Sequence, residues 1–344
     1  MHTTRARRVH YDAQRYAHPH AQQQSLERAV LEHLNRHRLL RAVDVAAAIA
    51  ADRRFEAAMS AAQRQLARLV EDRLVQRSVV AHQTVYALTQ RGAYRLVELR
   101  GDDPGTPPQP WTAWPAVRPS ARRVADRSNP QHALLISQTV IAAEALGLTA
   151  WTETELRALL KTPPLTVAVD GKPRGLWPDA FIVLPGASGP QLVWVEIDRS
   201  QRGSRRLADL TALVRAAGCA VRVPGSGSHE GERIMPLRRI VVLTGSTGIA
   251  RANLSHLLPR VTVGLTGDSG LVQRGGGLYD VLVDAEQRLS GGRVQTVRRV
   301  GARLLVQPWS VPSPREWFDS SALPWSLSSG QWPPSRPLGF TATP

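Results

Sequence analysis

The sequence predicts an α+β fold divided between two domains. Residues 25–100 hold three segments with the apolar period of amphipathic helices, followed by two short strand-like segments. Residues 132–310 alternate apolar strand-like runs, the last of them at 278–283 and 303–307, with helical segments, which is typical of an α/β domain. Residues 101–131 separate the two, because their Pro, Gly and Trp content interrupts every regular element and indicates a linker.

The order of elements in residues 25–100 predicts a winged helix-turn-helix. Ser25, Asp44 and Ser60 each open an apolar helical segment and are good N-cap residues. Two strands follow, at 74–80 and 84–88, and a short loop joins them. In the winged-helix form the third helix enters the major groove of DNA and the two-stranded wing touches the adjacent backbone.

The predicted third helix and wing carry side chains that suit contacts with phosphates and purine edges. These predicted DNA-binding residues, taken to face outward, are Gln63, Arg64, Gln65, Arg68, Arg73 and His82. The first 100 residues contain 17 arginines against 9 acidic residues, which agrees with double-stranded DNA as the partner. A winged helix that serves for homodimer formation or protein contacts is the alternative.

Composition favours a polyanionic partner for the whole chain. Its 344 residues carry a formal net charge of +16, and nucleic acid suits that excess better than an acidic membrane surface. Arginine-rich coding accounts for part of the charge, since only Lys161 and Lys172 are lysines. No apolar run approaches the roughly 20 residues that span a bilayer, and no secretory signal opens the chain, so we expect a cytoplasmic protein with no membrane partner.

The two ends of the chain lack apolar periodicity. Residues 1–24 are rich in Arg, His and Gln, which predicts a flexible basic arm. Residues 311–344 form a Pro-, Ser- and Trp-rich tail, whose tryptophans either dock on the body of the protein or await a partner. Cys219 is the single cysteine, which excludes an intramolecular disulfide and a cysteine-cluster zinc site.

Three carboxylates at strand ends predict a site for a hard cation. Asp179 opens the apolar strand 180–184, and Glu196 and Asp198 close the strand 191–198. Side chains alternate along a strand, so Glu196 and Asp198 point the same way, and an antiparallel partner starting at Asp179 brings a third carboxylate beside them. Magnesium or manganese would be the guest, because both accept oxygen ligands. The alternative is a turn at Asp179 and ordinary strand-end charges.

This spacing resembles the PD-(D/E)XK nuclease superfamily, in which Pro-Asp opens one strand and Glu-x-Lys lies on the next. Here Pro178-Asp179 and Glu196-Ile197-Asp198 match, with Asp198 in the place of the lysine. In active members the lysine helps to activate the attacking water, so the exchange is compatible with metal binding but removes the usual cation of hydrolysis. The candidates to replace that cation are Lys172, Arg199, Arg205 and Arg206.

The chain as a whole resembles the replication-relaxation family of bacterial plasmids and integrated elements, over about residues 25–310. The resemblance rests on the order of short motifs: Tyr86-Ala87-Leu88-Thr89-Gln90-Arg91-Gly92-Ala93, His132, Trp151-Thr152-Glu153, Pro178-Asp179-Ala180, Glu196-Ile197-Asp198-Arg199-Ser200 and Val241-Val242-Leu243-Thr244. Ser200 and Gln201 depart from the Glu-x-Asp-Arg-Gly-Thr that the family often has.

The family resemblance implies a winged helix joined to a nuclease-like α/β domain. It also implies a role in plasmid replication, DNA relaxation or mobilisation, with replication or mobilisation proteins as further partners. By position, Glu153 would be the first acid of the nuclease-like site, with Glu155 as the second choice. Asp179, Glu196 and Asp198 would be its other acids.

Three functional hypotheses are compatible with these observations. The first is a DNA-binding protein of a mobile element whose nuclease-like domain is degenerate. The second is a magnesium-dependent DNA endonuclease that uses Glu153 together with the three strand-end carboxylates. The third, a transcriptional repressor with a ligand-sensing second domain, is less favoured, because converging acids do not suit an apolar ligand pocket.

Overall fold

The computed structural model describes residues 19–50, 53–80, 82–101, 130–185, 189–198, 203–225, 231–261, 270–290, 292–308, 315 and 318. The chain divides into two compact units: the first comprises residues 1–159 and 311–323, and the second comprises residues 160–310 and 324–344. Helices combined with a mixed sheet confirm the predicted α+β class. The predicted domain boundaries stay predictions, and most of the predicted arm, linker and tail lies outside the described residues.

The first unit begins with three helices, a hairpin and a fourth helix. These elements are α1 (Pro19–His37), α2 (Ala42–Ile49), α3 (Phe55–Glu71), β1 (Val75–Val80), β2 (Gln83–Leu88) and α4 (Gln90–Gly101). A second group follows, formed by α5 (Pro130–Ala145), β3 (Thr149–Thr152) and α6 (Glu153–Leu160), which crosses the boundary between the units at its last residue.

The three predicted N-caps of this unit are wrong in position, because each helix begins earlier than its cap signal. Ser25 and Ser60 lie inside α1 and α3. Helix α3 starts at Phe55, whose ring packs edge-on against Phe318 with centroids 5.6 Å apart. Asp44 lies one turn into α2, where its Oδ2 accepts a hydrogen bond of 2.8 Å from the backbone N–H of Arg41. It therefore still satisfies an amide at the start of the helix.

The hairpin that follows α3 is antiparallel and tightly closed. Its register runs from Val75↔Leu88 to Val80↔Gln83. Leu40 extends this ribbon on its other side, since its N–H and C=O exchange hydrogen bonds of 3.1 and 2.8 Å with Tyr86. The chain between α1 and α2 is thereby tied to β2, and a common apolar core of buried Leu, Val and Ala side chains lies beneath the helices.

Thr89 and Gly92 fix the junction between the hairpin and α4. The Thr89 hydroxyl lies 2.7 and 2.9 Å from the carbonyl oxygens of Arg73 and Leu74, and it accepts a hydrogen bond of 3.0 Å from Gly92 N. A Cβ at position 92 would lie 2.0 Å from Leu74 O. Only glycine allows the first turn of α4 to approach the backbone this closely.

Arg36 is a buried cation that joins α1 to the second group of elements in the same unit. Its Nε and Nη1 donate to Glu155 and Glu144, both at 2.6 Å, and its Nη2 donates to Ala150 O at 2.9 Å. The side chain is 1% exposed. Burial alone would lower the pKa of Arg36, but the two carboxylates raise it, so the guanidinium stays charged.

Two histidines on the same helix are buried next to this cation. The rings of His33 and His37 stack with centroids 5.9 Å apart. Burial, and secondly the charge of Arg36, lower the pKa of His33 from 6.5 to about 3. The same two causes lower the pKa of His37 well below 6.5. Both rings are therefore neutral near pH 7 and add no positive charge beside Arg36.

The second unit is built on strands of a mixed sheet, with two helices and a separate hairpin. The hairpin is β4 (Leu165–Val169) with β5 (Lys172–Leu176). The sheet strands are β6 (Ala180–Leu184), β7 (Gln191–Asp198), β8 (Ala220–Pro224), β9 (Glu232–Thr244), β10 (Leu271–Gly275), β11 (Leu278–Arg288) and β12 (Val294–Pro308). The helices are α7 (Ser204–Arg215) and α8 (Thr247–Leu257), the second followed by a 3-10 turn, Leu258–Arg260.

The centre of this sheet is parallel and buried. The strands follow the order β10-β11-β12-β9-β7-β6, and β8 pairs with the first part of β9. The pairs of β9 with β7 and with β12 are parallel, whereas β6 runs antiparallel to β7. Strands β6 and β7 read as continuous apolar runs because almost every residue in them is buried. No helix among the described residues has the length and apolarity needed to cross a membrane.

Replacing Gly92 with Ala tests the close approach at the start of α4. Helix propensity alone would favour Ala by up to about 1 kcal/mol. We expect the opposite, a loss of about 1–3 kcal/mol in the free energy of unfolding, because the added Cβ meets the Leu74 carbonyl. Urea denaturation followed by circular dichroism measures the change.

Gly248→Ala in α8 is the matched control. A Cβ at this position would meet only Ser246 Oγ, at 3.8 Å, so the free energy of unfolding should stay unchanged or rise. A Gly92→Ala protein as stable as the wild type would contradict the packing described at Leu74.

Candidate functional site

Strands β6 and β7 bring two of the predicted carboxylates to one end of the sheet. The antiparallel pairing predicted for these strands is confirmed, with Ala180 opposite Val195. Continuing this register by one residue puts Asp179 opposite Glu196, and Asp198 lies two residues further along β7. The sequence prediction that these acids share a strand end therefore agrees with the topology.

Each of these carboxylates has a donor within the protein. Asp179 Oδ2 accepts a hydrogen bond of 2.6 Å from Ile197 N, which holds the start of β6 against β7. Glu196 Oε1 accepts one of 2.8 Å from the indole N–H of the buried Trp194, its neighbour on the same face of β7. The side chains of Asp179 and Glu196 are half-buried. Their two hydrogen bonds stabilise the pair of strands β6 and β7.

Asp198, which stands where the resemblance expects lysine, is buried at 4% exposure. Its Oδ2 accepts a hydrogen bond of 3.1 Å from Asn253 Nδ2 on α8, and its carbonyl accepts one of 2.9 Å from Gly245 N. The residue thus ties the end of β7 to the turn between β9 and α8. A buried carboxylate needs such donors, because burial without them is costly.

The acid at the start of α6 that the resemblance favours is exposed and paired. Glu153 Oε1 lies 2.7 Å from Arg157 one turn later, and both side chains are more than a third exposed. Glu155, the second choice, is 1% exposed and accepts from Arg36 and from Thr152 N, at 2.6 and 2.8 Å. Thr152 and Glu155 form a capping box, so the carboxylate of Glu155 serves the helix start and the buried arginine.

These carboxylates do not fit a magnesium or manganese centre as they are arranged. Among the described residues, no group of three or more His, Cys, Asp and Glu side chains is placed so that it could hold a metal ion. A hard cation would need the carboxylate oxygens of Asp179 and Asp198 as ligands. One oxygen of each already accepts a hydrogen bond, from a backbone amide at Asp179 and from a side-chain carboxamide at Asp198. The magnesium or manganese cofactor and the catalytic roles of the four acids stay predictions.

The outward face of α3 is a second candidate site. Gln63 and Arg64 are exposed at its middle, and the neighbouring Ala57 and Ala67 are exposed and short. We call these four residues the α3 face. Within the part of the chain that the structure describes, Arg64 Nη1 has one hydrogen bond, a solvent-exposed contact of 3.5 Å with the Ser60 hydroxyl.

The predicted outward orientation of Gln65 is wrong. Gln65 lies three residues after Ala62 and four before Leu69, so it falls on the buried stripe of α3, and it is 7% exposed. Arg68 is half-buried, and its Nη2 pairs with Glu27 of α1 at 3.0 Å. Arg95 of α4 pairs with the same carboxylate at 2.8 Å, so Arg68 belongs to a brace between helices.

Arg73 and His82, the remaining predicted DNA-binding residues, are exposed at the ends of β1. Both have positive φ, 59° and 63°, which places them in tight turns. The sequence prediction missed three further exposed arginines: Arg53 and Arg54 immediately before α3, and Arg77 on β1. Arg53 and Arg54 were missed because the helix was expected to begin at Ser60. Arg77 occupies one of the exposed positions that alternate along β1.

Comparison with known families decides the classification. A family model described as Replication-relaxation matches residues 31–214, which is more than half of the 344 residues. The chain belongs to the replication-relaxation family. Membership suggests a role in the replication or relaxation of plasmids or other mobile elements. No curated protein and no solved structure matches the chain.

Several positions that carry the replication-relaxation resemblance have structural roles here. Thr89 and Gly92 set the start of α4, and Thr152 belongs to the capping box of α6. Asp179 and Asp198 hold strand ends. The matched region ends at residue 214, inside α7, so that β8 to β12 lie beyond it.

Substitutions at Asp198 separate a structural role from a metal-binding role. Asp198→Ala should lower the free energy of unfolding by about 1–3 kcal/mol, because it removes the acceptor of the buried Asn253 amide. Asp198→Asn should retain most of the stability, since it keeps an acceptor oxygen. Urea denaturation without divalent cations is the measurement, and Glu153→Ala, in an exposed ion pair, is the near-neutral control. Equal losses in the Ala and Asn variants would contradict the structural role.

Proposed function

We propose that this chain is a DNA-binding protein of a plasmid or mobile element that acts in replication, relaxation or mobilisation. In this proposal the first unit works as a winged helix, with α3 in the major groove and the β1–β2 hairpin as the wing. The observation that carries the proposal is the α3 face, where Gln63 and Arg64 are exposed between short side chains.

The dimensions and chemistry of this face suit a DNA groove. Ala57 and Ala67 let the helix axis approach base edges, and Arg64 and Gln63 offer the donors that read guanine and adenine. Arg53 and Arg54 stand at the N-terminal end of the helix, where backbone amides also attract phosphates. The strand-like bridge of Leu40 to β2 supports the winged-helix arrangement, because it ties the wing to the helices.

The second unit would act as a nuclease-like scaffold in this proposal. Strands β6 and β7 carry Asp179 and Glu196 at one end, as the resemblance expects, but the lysine position holds a buried aspartate. The carboxylate of Asp198 carries no positive charge, and it accepts a hydrogen bond from Asn253. Asp198 therefore cannot take the place of the lysine that would act on the attacking water.

A magnesium-dependent endonuclease is the second candidate. The observation that favours it is the register that places Asp179 opposite Glu196, since two carboxylates on neighbouring strands can share a cation. Lys172 on β5 is exposed and is one of the candidate cations that would replace the lysine. This candidate requires both carboxylates to exchange their present donors for a metal ion.

Arg64→Ala tests the DNA-binding proposal. We expect it to weaken binding by about 5- to 100-fold, because the arginine contributes a base or phosphate contact. The ligand is a duplex enriched from a random-sequence pool by the wild-type protein, and fluorescence anisotropy is measured between about 50 and 200 mM salt. If Arg64 contacts a phosphate, the slope of affinity against salt also falls by about one.

Arg157→Ala is the control, because it removes an exposed arginine of the same unit that lies on α6 and not on α3. Its affinity should stay close to that of the wild type. An Arg64→Ala protein with unchanged affinity and unchanged salt slope would remove α3 as the recognition helix. Arg68→Ala is unsuitable for this test, since it also breaks the pair with Glu27.

A further inference from the structure

The far ends of β11 and β12 form a two-stranded ribbon that extends beyond the rest of the sheet. Strand β10 pairs with β11 only as far as Val281, and β9 pairs with β12 only from Arg303 onward. Among the described strands, the pairs from Leu282↔Val300 to Arg288↔Val294 connect only β11 and β12, and at the start of this segment Leu282 N also donates to Gly270 O at 2.7 Å. We call this segment, residues 282–300, the β11–β12 ribbon. Its paired part is about 20 Å long.

Gly301 marks the point at which the ribbon leaves the sheet. The register shifts between Val281↔Ala302 and Leu282↔Val300, so Gly301 is the extra residue of a β-bulge. A Cβ at this position would lie 2.6 and 2.7 Å from the two methyl groups of Val283. Bulges bend a strand and increase its twist, and only glycine fits here. The direction of the ribbon is therefore built into the fold.

The ribbon becomes exposed and positively charged toward its tip. Every described residue from Glu286 to Thr296 is exposed. Its four arginines, Arg288, Arg293, Arg298 and Arg299, outnumber the two acids, Asp284 and Glu286. Asp284 lies opposite Arg298. Between Glu286 and the tip, the charged residues of both strands are all arginines. Two apolar side chains at the tip, Leu289 and Val294, are 40% and 55% exposed.

We infer that the β11–β12 ribbon is a DNA-binding arm whose tip enters the minor groove of duplex DNA. A narrow minor groove concentrates negative potential and attracts arginine, which suits Arg288 and Arg293. Leu289 at the tip is the kind of apolar wedge that partly unstacks a base step. The length of the ribbon exceeds the minor-groove depth of about 7.5 Å. Its tip can therefore reach the nucleobases while the end that joins the sheet stays at the DNA backbone.

This inference shares only the ligand, duplex DNA, with the proposed function of the first unit. It concerns a different surface, beyond the region that matches the family. The outcomes of the binding experiments therefore distinguish the two ideas. A wild-type chain that binds no duplex removes both, whereas a chain that binds through α3 but not through the ribbon removes only this one.

Cleavage from a tethered reagent tests the position of the tip. Cys219 is exposed and is the only cysteine, so Cys219→Ser with Ser290→Cys leaves one thiol at the tip for an iron chelate that generates hydroxyl radicals. The full-length protein is bound to the selected duplex. We expect cleavage of both strands with the cut sites offset toward their 3′ ends, as for radicals released in the minor groove. A 5′ offset, or no cleavage by a protein that still binds, overturns the inference.

A paired charge deletion provides the quantitative test. Arg288→Ala with Arg293→Ala should lower the slope of affinity against salt by about 2, because each of the two arginines neutralises one phosphate. Arg251→Ala with Arg260→Ala removes two exposed arginines of the same unit that lie outside the ribbon and is the matched control. Equal effects of the two double variants would attribute the weaker binding to net charge alone. Wild-type affinity and slope in the ribbon variant would assign the ribbon to another partner, such as an acidic protein.

Discussion

The first unit depends on the buried cation Arg36. Its guanidinium donates to groups on α5, on β3 and on α6, at 2.6 to 2.9 Å. Removing one partner of a buried ion pair typically costs about 3–5 kcal/mol, because the remaining charge stays buried. The neutral rings of His33 and His37 beside it keep further charge out of the layer. The position of α1 against the second group of elements is therefore fixed by charge as well as by apolar packing.

Two glutamates of the same helix pair with three further arginines of the unit. Glu27 of α1 holds Arg68 and Arg95, and Glu32 of α1 holds Arg100. These arginines brace α3 and α4 and contribute little to a DNA surface. The 44 Lys and Arg residues therefore overstate the number of basic side chains available to a polyanion. Among the described residues, the α3 face and the β11–β12 ribbon are the two exposed surfaces on which the proposed DNA contacts rest.

Local patterns in the sequence predicted the elements well where one face is buried. The helices of the first unit, the β1–β2 hairpin and the strands around Asp179 and Glu196 follow from apolar periodicity and turn residues. Gln65 was placed on the wrong face because a shift of one residue on a helix moves a side chain by about 100°. The start of α3 depends on Phe55 meeting Phe318, a contact far apart in the chain.

The sequence could not predict the features that depend on non-local partners. Asp198 looks like a metal ligand in its motif, and only its contact with Asn253 on α8 reveals a structural role. Apolar runs predict short late strands, at 278–283 and 303–307, whereas the strands extend through the ribbon. An exposed two-stranded ribbon has no buried face, so the apolar alternation that marks a strand is weak there.

The most direct test is a supercoiled plasmid incubated with the wild-type protein, Asp179→Ala and Glu196→Ala, in Mg²⁺ and in Mn²⁺. A DNA-binding protein with a nuclease-like scaffold should retard the plasmid without cutting it, equally in all three proteins. Nicking or linearisation by the wild type that disappears in both variants would contradict this, and would show that the carboxylates of β6 and β7 bind metal and cleave DNA.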